Sequence, residues 1–155
     1  MLDEIEIRHA NIADIDDIIL FNKEMAWETE KKVLDIQTLS SGVRQVLENN
    51  AEAFYLVATV NSSKIAGSLM VTKEWSDWRN AFIWWIQSVY VLPEFRRKGI
   101  YDSLYKKAKD LGRDSKCCAF RLYVEENNST AQKTYFALGM KKLHYFVYEE
   151  VLNGK

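Results

Sequence analysis

Apolar positions along this chain keep switching between two spacings, and the switches divide it into strands and helices. Ile5 and Ile7 alternate with charged neighbours over residues 4–9, a two-residue period that predicts a first strand. Ile12, Ile15, Ile18, Ile19 and Asn22 then fall at helical spacing, so a first helix is expected to reach about Trp27. A second helix is predicted from about Ile36 to Glu48, with Leu39, Val43, Val46 and Leu47 as its apolar stripe. The link between them, residues 28–34, is a candidate lid. Two strand-like runs, from Ala53 to Val60 and from Lys64 to Thr72, flank the turn Asn61-Ser62-Ser63, and a second turn is expected over residues 75–80. The run from Ile83 to Val91 is long, aromatic and β-branched, which predicts a central strand. Leu104, Ala108 and Leu111 mark a third helix that Gly112 is placed to end. A strand from Cys117 to Val124 follows. Ser129-x-x-Gln132 has the form of a capping box opening a fourth helix that closes at Gly139, and a last strand is expected from about His144 to Leu152.

The order is therefore βααβββαβαβ, an α+β chain read as an α/β/α sandwich. Because a helix joins the central strand to the next one, that pair should be parallel with a right-handed crossover. At 155 residues the chain suits one domain, 1–155, with a single core. Aromatic residues are 13% of the chain, high enough that some rings are expected to line a pocket. The net charge of −1 argues against a general nucleic-acid binder, which needs a broad basic surface. Cys117 and Cys118 have no third cysteine to pair with, and read as thiols suited to a reducing compartment. No apolar run reaches membrane-spanning length and the start Met1-Leu2-Asp3-Glu4 is unlike a signal peptide, so a cytoplasmic protein without membrane contact is expected. His9 and His144 stand far apart with no cluster of ligands, so no metal is expected.

Between the central strand and the third helix lies Val91-Leu92-Pro93-Glu94-Phe95-Arg96-Arg97-Lys98-Gly99-Ile100-Tyr101. It is a basic turn that becomes a helix N-terminus. Unpaired N–H groups and the positive end of the helix dipole point outward there, and Arg96, Arg97 and Lys98 add charge where a pyrophosphate would lie. Ser103, in the first turn of that helix, either adds a hydroxyl to a phosphate or serves the helix alone.

Arg96-Arg97-Lys98-Gly99-Ile100 resembles the acyl-CoA-binding motif Arg/Gln-x-x-Gly-x-Gly/Ala of the GNAT family of N-acetyltransferases, with Tyr101 departing from it. The segment from Asn128 to Met140 resembles that family's later motif, Asn-x-x-Ala-x-x-x-Tyr-x-x-x-Gly-Phe, with Met140 in place of Phe. The resemblance implies the acyl-CoA N-acyltransferase fold, with acetyl-CoA as the donor and a primary amine as the acceptor. It also implies that the central strand parts from its parallel neighbour, so that backbone groups of Val89 and Val91 hold the pantetheine arm. The amide of Val89 or Tyr90 then faces the thioester oxygen. By the same resemblance Gly99, Ile100 and Tyr101 belong to the phosphate turn, and Tyr135 is the general acid for the departing thiolate. Asn128 either reaches the pantetheine or caps the fourth helix. The Tyr101 ring either crowds the pyrophosphate or turns away and leaves its amide to bind.

The general base is not legible. Many relatives carry a glutamate on the central strand, where this chain has Trp85 and Gln87. The candidates then become Glu28 or Glu30 in the lid, Glu74 or Asp77 in the hairpin and Glu125 or Glu126 after the fifth strand, acting directly or through water. Glu28, Glu30, Trp75, Asp77 and Gln87 are expected on the acceptor side, where carboxylates would attract a cationic small-molecule or peptide amine. The last strand and exposed aromatics would also suit a homodimer.

The favoured reading is direct attack by the amine within a ternary complex, with no covalent enzyme intermediate. The rival is a catalytically silent acyl-CoA-binding or sensing module, which the absent strand carboxylate allows. A Rossmann-type dinucleotide binder is disfavoured, since the turn lacks Gly-x-Gly-x-x-Gly.

Overall fold

The computed structural model describes residues 3–48 and 52–154. They divide into two compact units, one ending at Tyr123 and the other beginning at Val124. The first unit holds a five-stranded sheet in the order β1-β2-β3-β4-β5: β1 Ile5–His9, β2 Ala53–Val60, β3 Lys64–Ser76, β4 Ala81–Val91 and β5 Ala119–Leu122. Neighbours pair antiparallel except β4 and β5, which run parallel, as a helical crossover requires.

Three helices cover this sheet: α1 Ile15–Glu30, α2 Ile36–Glu48 and α3 Ile100–Asp114. Ile18 of α1 and Val43 of α2 are buried with Tyr55 and Val57 of β2, and Met70 of β3 packs on them. Side chains alternate across a strand, so Leu56, Leu69 and Val71 point to the other face. There α3 buries Ile100, Leu104 and Ala108, and its Tyr105 ring lies 6.3 Å from Phe120 of β5. The sheet is thus sandwiched between α1 and α2 on one side and α3 on the other.

The second unit contains α4, Ser129–Ala137. It ends in a paired motif, with the Gly139 amide on Phe136 O and the Met140 amide on Tyr135 O, and Gly139 at φ 91° makes that turn.

Several boundaries differ from the periodic reading. A 3-10 turn, Ile12–Asp14, precedes α1, and α1 continues to Glu30, so Glu28 and Glu30 are helical instead of lying in a lid loop. β3 extends through Trp75. Gly112 lies inside α3, because a Cβ there would stand 2.4 Å from Phe120 Cζ and 2.8 Å from Cys117 Sγ; it is a packing glycine. The capping box at Ser129 does not form: Asn128 caps α4 through Ala131 N, while Gln132 donates to the carbonyls of Glu125 and Glu126. The expected last strand is absent, since residues 144–152 join no ladder and Tyr145, Phe146, Tyr148 and Leu152 are exposed. Alternation supplies strand propensity, but a strand also needs a partner.

Candidate active site

β4 has an open edge because it keeps β3 along its whole length but loses β5 halfway along. Its ladder with β5 runs from Ile83↔Ala119 to Ile86↔Leu122 and stops. On the other side, β3 pairs Met70 with Gln87 but Ser68 with Tyr90, so β4 carries one extra residue there. Ser88 takes this bulge at φ 51°, a left-handed conformation uncommon for serine. Beyond it the Leu92 amide donates to Ala66 O of β3 at 2.8 Å. By alternation Val91 turns its polar groups the other way, to the side β5 has left.

The basic turn follows at once. Pro93–Phe95 forms one 3-10 turn, then Arg97 at φ 62° and Gly99 at φ 81° fold the chain into α3. Among the described residues no side chain caps α3, and nothing lies within 4 Å of where a Gly99 Cβ would stand. Gly67 brings this helix start close to the sheet: a Cβ there would meet Tyr90 O at 2.8 Å and Ile100 Cγ2 at 3.4 Å. The Tyr101 ring stacks back along the helix on Tyr105, at 6.2 Å and 18°, which removes it from the turn. Ser103 donates its amide to Gly99 O as an ordinary helical residue.

The three basic side chains divide their tasks. Arg96 is held: Nε donates to Val91 O at 2.8 Å, and Nη2 pairs with Glu28 at 2.9 Å. Tyr90 completes the group, donating its hydroxyl to Glu28 Oε1 at 3.1 Å beneath the guanidinium. Burial first, then the hydrogen bond to Glu28, raises the Tyr90 pKa, so it stays a donor. Lys98 stands 5.2 Å over the Phe95 ring. Among the described residues neither Arg97 nor Lys98 forms a salt bridge, although Lys98 lies near enough to Glu94 to help, after Lys64, to lower its pKa.

On the α1 face of the sheet, Gln87 Nε2 donates to Thr72 Oγ1 at 2.6 Å. The Trp85 ring stacks on Tyr123 at 4.6 Å and 24°. Arg121, paired in register with Trp85, places its guanidinium 6.0 Å from that ring, and Glu74 approaches it at 3.7 Å. Trp75 does not join this group, because it pairs with Phe82 and its ring meets Phe82 at 5.0 Å on the α3 face. Trp78, 94% exposed, and Asp77 sit at the hairpin tip, and Glu30 is exposed. Sequence reading assigned Arg96 to phosphate and Glu28 to the acceptor without their pairing, and it overlooked Arg121 and Tyr123. A basic turn is legible as a run of neighbours, whereas Arg121 and Trp85 meet only through the parallel crossover.

In the second unit, Asn128 Oδ1 accepts Ala131 N at 3.1 Å, and Tyr135 lies in the last two turns of α4. Among the described residues no group of three or more His, Cys, Asp or Glu could hold a metal ion. None of the described helices is long and apolar enough to cross a membrane.

The family model "Acetyltransferase (GNAT) family" matches residues 12–140. A thialysine N-epsilon-acetyltransferase of Bos taurus is 28% identical over 146 residues, covering 88% of this chain and 84% of that protein. A solved structure of a possible acetyltransferase from Clostridium difficile 630 is 44% identical, with a TM-score of 0.89 over 96% of this chain and 99% of its own. The aminoglycoside N-acetyltransferase AAC(6')-Iy in complex with CoA is 15% identical, with a TM-score of 0.79 over 96% and 95% of the two chains, a likeness of fold.

Proposed function

Since the chain belongs to the GNAT acetyltransferase family, we propose that it transfers an acetyl group from acetyl-CoA to a primary amine by direct attack in a ternary complex. The observation that carries this reading is the parting of β4 from β5 beside an uncapped, basic helix N-terminus. An extended amide chain ending in a pyrophosphate fits that pairing of features. The named relatives also act on amines, thialysine in one case and an aminoglycoside in another.

The donor supplies an acyl group activated as a thioester. In this reading Arg97, Lys98 and the amides of Gly99, Ile100 and Tyr101 hold the pyrophosphate. Val89 and Val91 offer backbone groups to the pantetheine, and the amide of Val89 or Tyr90 faces the thioester oxygen where negative charge develops. The amine, having lost its proton, forms the new N–C bond as the C–S bond breaks. Tyr135, by its place in the later motif, delivers a proton to the leaving sulfur and is restored by the proton that the nitrogen sheds as the amide forms. Gln87 orients the acceptor and accepts no proton, so the amine loses its own to water or to a carboxylate at the acceptor end. The surplus of carboxylates along α1 favours cationic amines.

The test has two arms. Calorimetric titration with acetyl-CoA should show binding that Lys98→Glu weakens, with circular dichroism checking that the variant folds. Thiol release over a panel of primary amines should then show turnover. Binding without release on any amine would favour the silent sensing module; no binding would remove both readings.

A further inference from the structure

Gln87 is the first residue of β4 past Ile86↔Leu122, the last rung shared with β5, so it stands where the two strands part. Its register partner is Met70, which packs on the α1 side of the sheet. Its carboxamide nevertheless reaches diagonally to Thr72, the partner of Trp85, and Nε2 donates to Thr72 Oγ1 at 2.6 Å. Both side chains are half-buried. An unattached carboxamide can turn end for end, because its two ends match in size and differ only in donating or accepting. A short bond to a β-branched residue, whose χ1 is stiff, settles which end points where.

With the nitrogen on Thr72, the oxygen is what Gln87 offers to a ligand. Among the described residues no donor reaches Oε1. A carbonyl oxygen accepts an N–H without taking the proton at neutral pH, so it holds an amine and leaves its lone pair alone. The reverse orientation would aim Nε2–H at that lone pair, the one that must attack the thioester carbon. Trp85, on the same face, has its ring stacked on Tyr123 at 4.6 Å, which gives the amide a fixed neighbour.

Resting on the acyltransferase reading above, we infer that Thr72 is a positioning residue. It fixes the Gln87 carboxamide so that Oε1 accepts one N–H of the incoming amine and the lone pair is left to face the thioester. Thr72 acts through Gln87 and touches neither substrate.

The experiment is a double-mutant cycle read by thiol release, with acetyl-CoA and the fastest primary amine of the panel above, thialysine included. Thr72→Val keeps the shape and strand preference of threonine, and should lower kcat/KM for the amine about tenfold while KM for acetyl-CoA holds. Thr72→Ser should recover most of that loss. Gln87→Leu should cost about as much as Thr72→Val, and adding Thr72→Val to Gln87→Leu should cost less than about twofold more, because the group being positioned is gone. Should Thr72→Val fail to fold by circular dichroism, Thr72→Ala takes its place in the cycle. No loss in Thr72→Val, a loss that Thr72→Ser does not recover, or a loss equally large in the Gln87→Leu background would overturn the positioning role and leave the acyltransferase intact. A wild type that releases no thiol with any amine would overturn the acyltransferase reading and this inference with it.

Discussion

Asp14 carries its charge into the interior with both oxygens occupied. Oδ2 accepts from Arg8 Nη1 and from the Asn11 amide, each at 2.8 Å, and Oδ1 accepts from Arg8 Nη2 at 2.9 Å. The hydrogen bond from Arg8 outweighs burial and holds its carboxyl below the usual range. A carboxyl with a lowered folded pKa contributes stability that is present above its ordinary value, about 3.9, and is lost as pH falls through the lowered one. Asp14→Asn should therefore cost about 3 kcal/mol near neutrality, and urea melts should show that gap to wild type closing as the solution is acidified below about pH 4. Tyr135 makes the corresponding prediction for catalysis. Tyr135→Phe should lower kcat by about 10²–10⁴-fold while acetyl-CoA binding by calorimetry is unchanged, and full turnover would remove the general-acid role. Neither residue was equally visible beforehand: Tyr135 sits in a contiguous motif, whereas the Arg8–Asp14 pair depends on how a strand meets the turn after it.

At the scale of elements, α1 is tied to the basic turn through Glu28 and Arg96. That pair is partly solvated, with side chains 38% and 43% exposed, and should contribute under about 1 kcal/mol to stability. Glu28→Gln should raise KM for acetyl-CoA at a nearly unchanged melting temperature, because the turn loses a support while the core does not. An unchanged KM would reduce the contact to a surface ion pair. Gly112 yields a different signature. Gly112→Ala gains helix propensity but drives a methyl into Phe120, so chemical denaturation should show a net loss of about 1–2 kcal/mol. Hydrophobic periodicity made the helices and the central sheet legible. It misread Gly112 because a glycine after an apolar stripe signals a helix end equally well, and only tertiary packing separates the two uses. It misread residues 144–152 for a related reason, since alternation describes a willing strand and says nothing of an available neighbour.

For the whole molecule, charge is local: a chain of net charge −1 concentrates Arg96, Arg97 and Lys98 in one turn. Association with acetyl-CoA, a polyanion, should weaken in calorimetric titrations as salt rises from about 0.05 to 0.5 M. The extra residue at Ser88 also acts on this scale, as a change of reading frame. Up to Gln87 the odd-numbered residues of β4 look toward α1; after it Tyr90 does. The two halves of the strand are one step out of phase, so its two ends present opposite parities to α1. Deleting Ser88 would alter no other side chain, yet it would swing Tyr90 toward α3 and deprive Glu28 of its partner. What joins the two ends of this strand is therefore a count of residues as much as their chemistry.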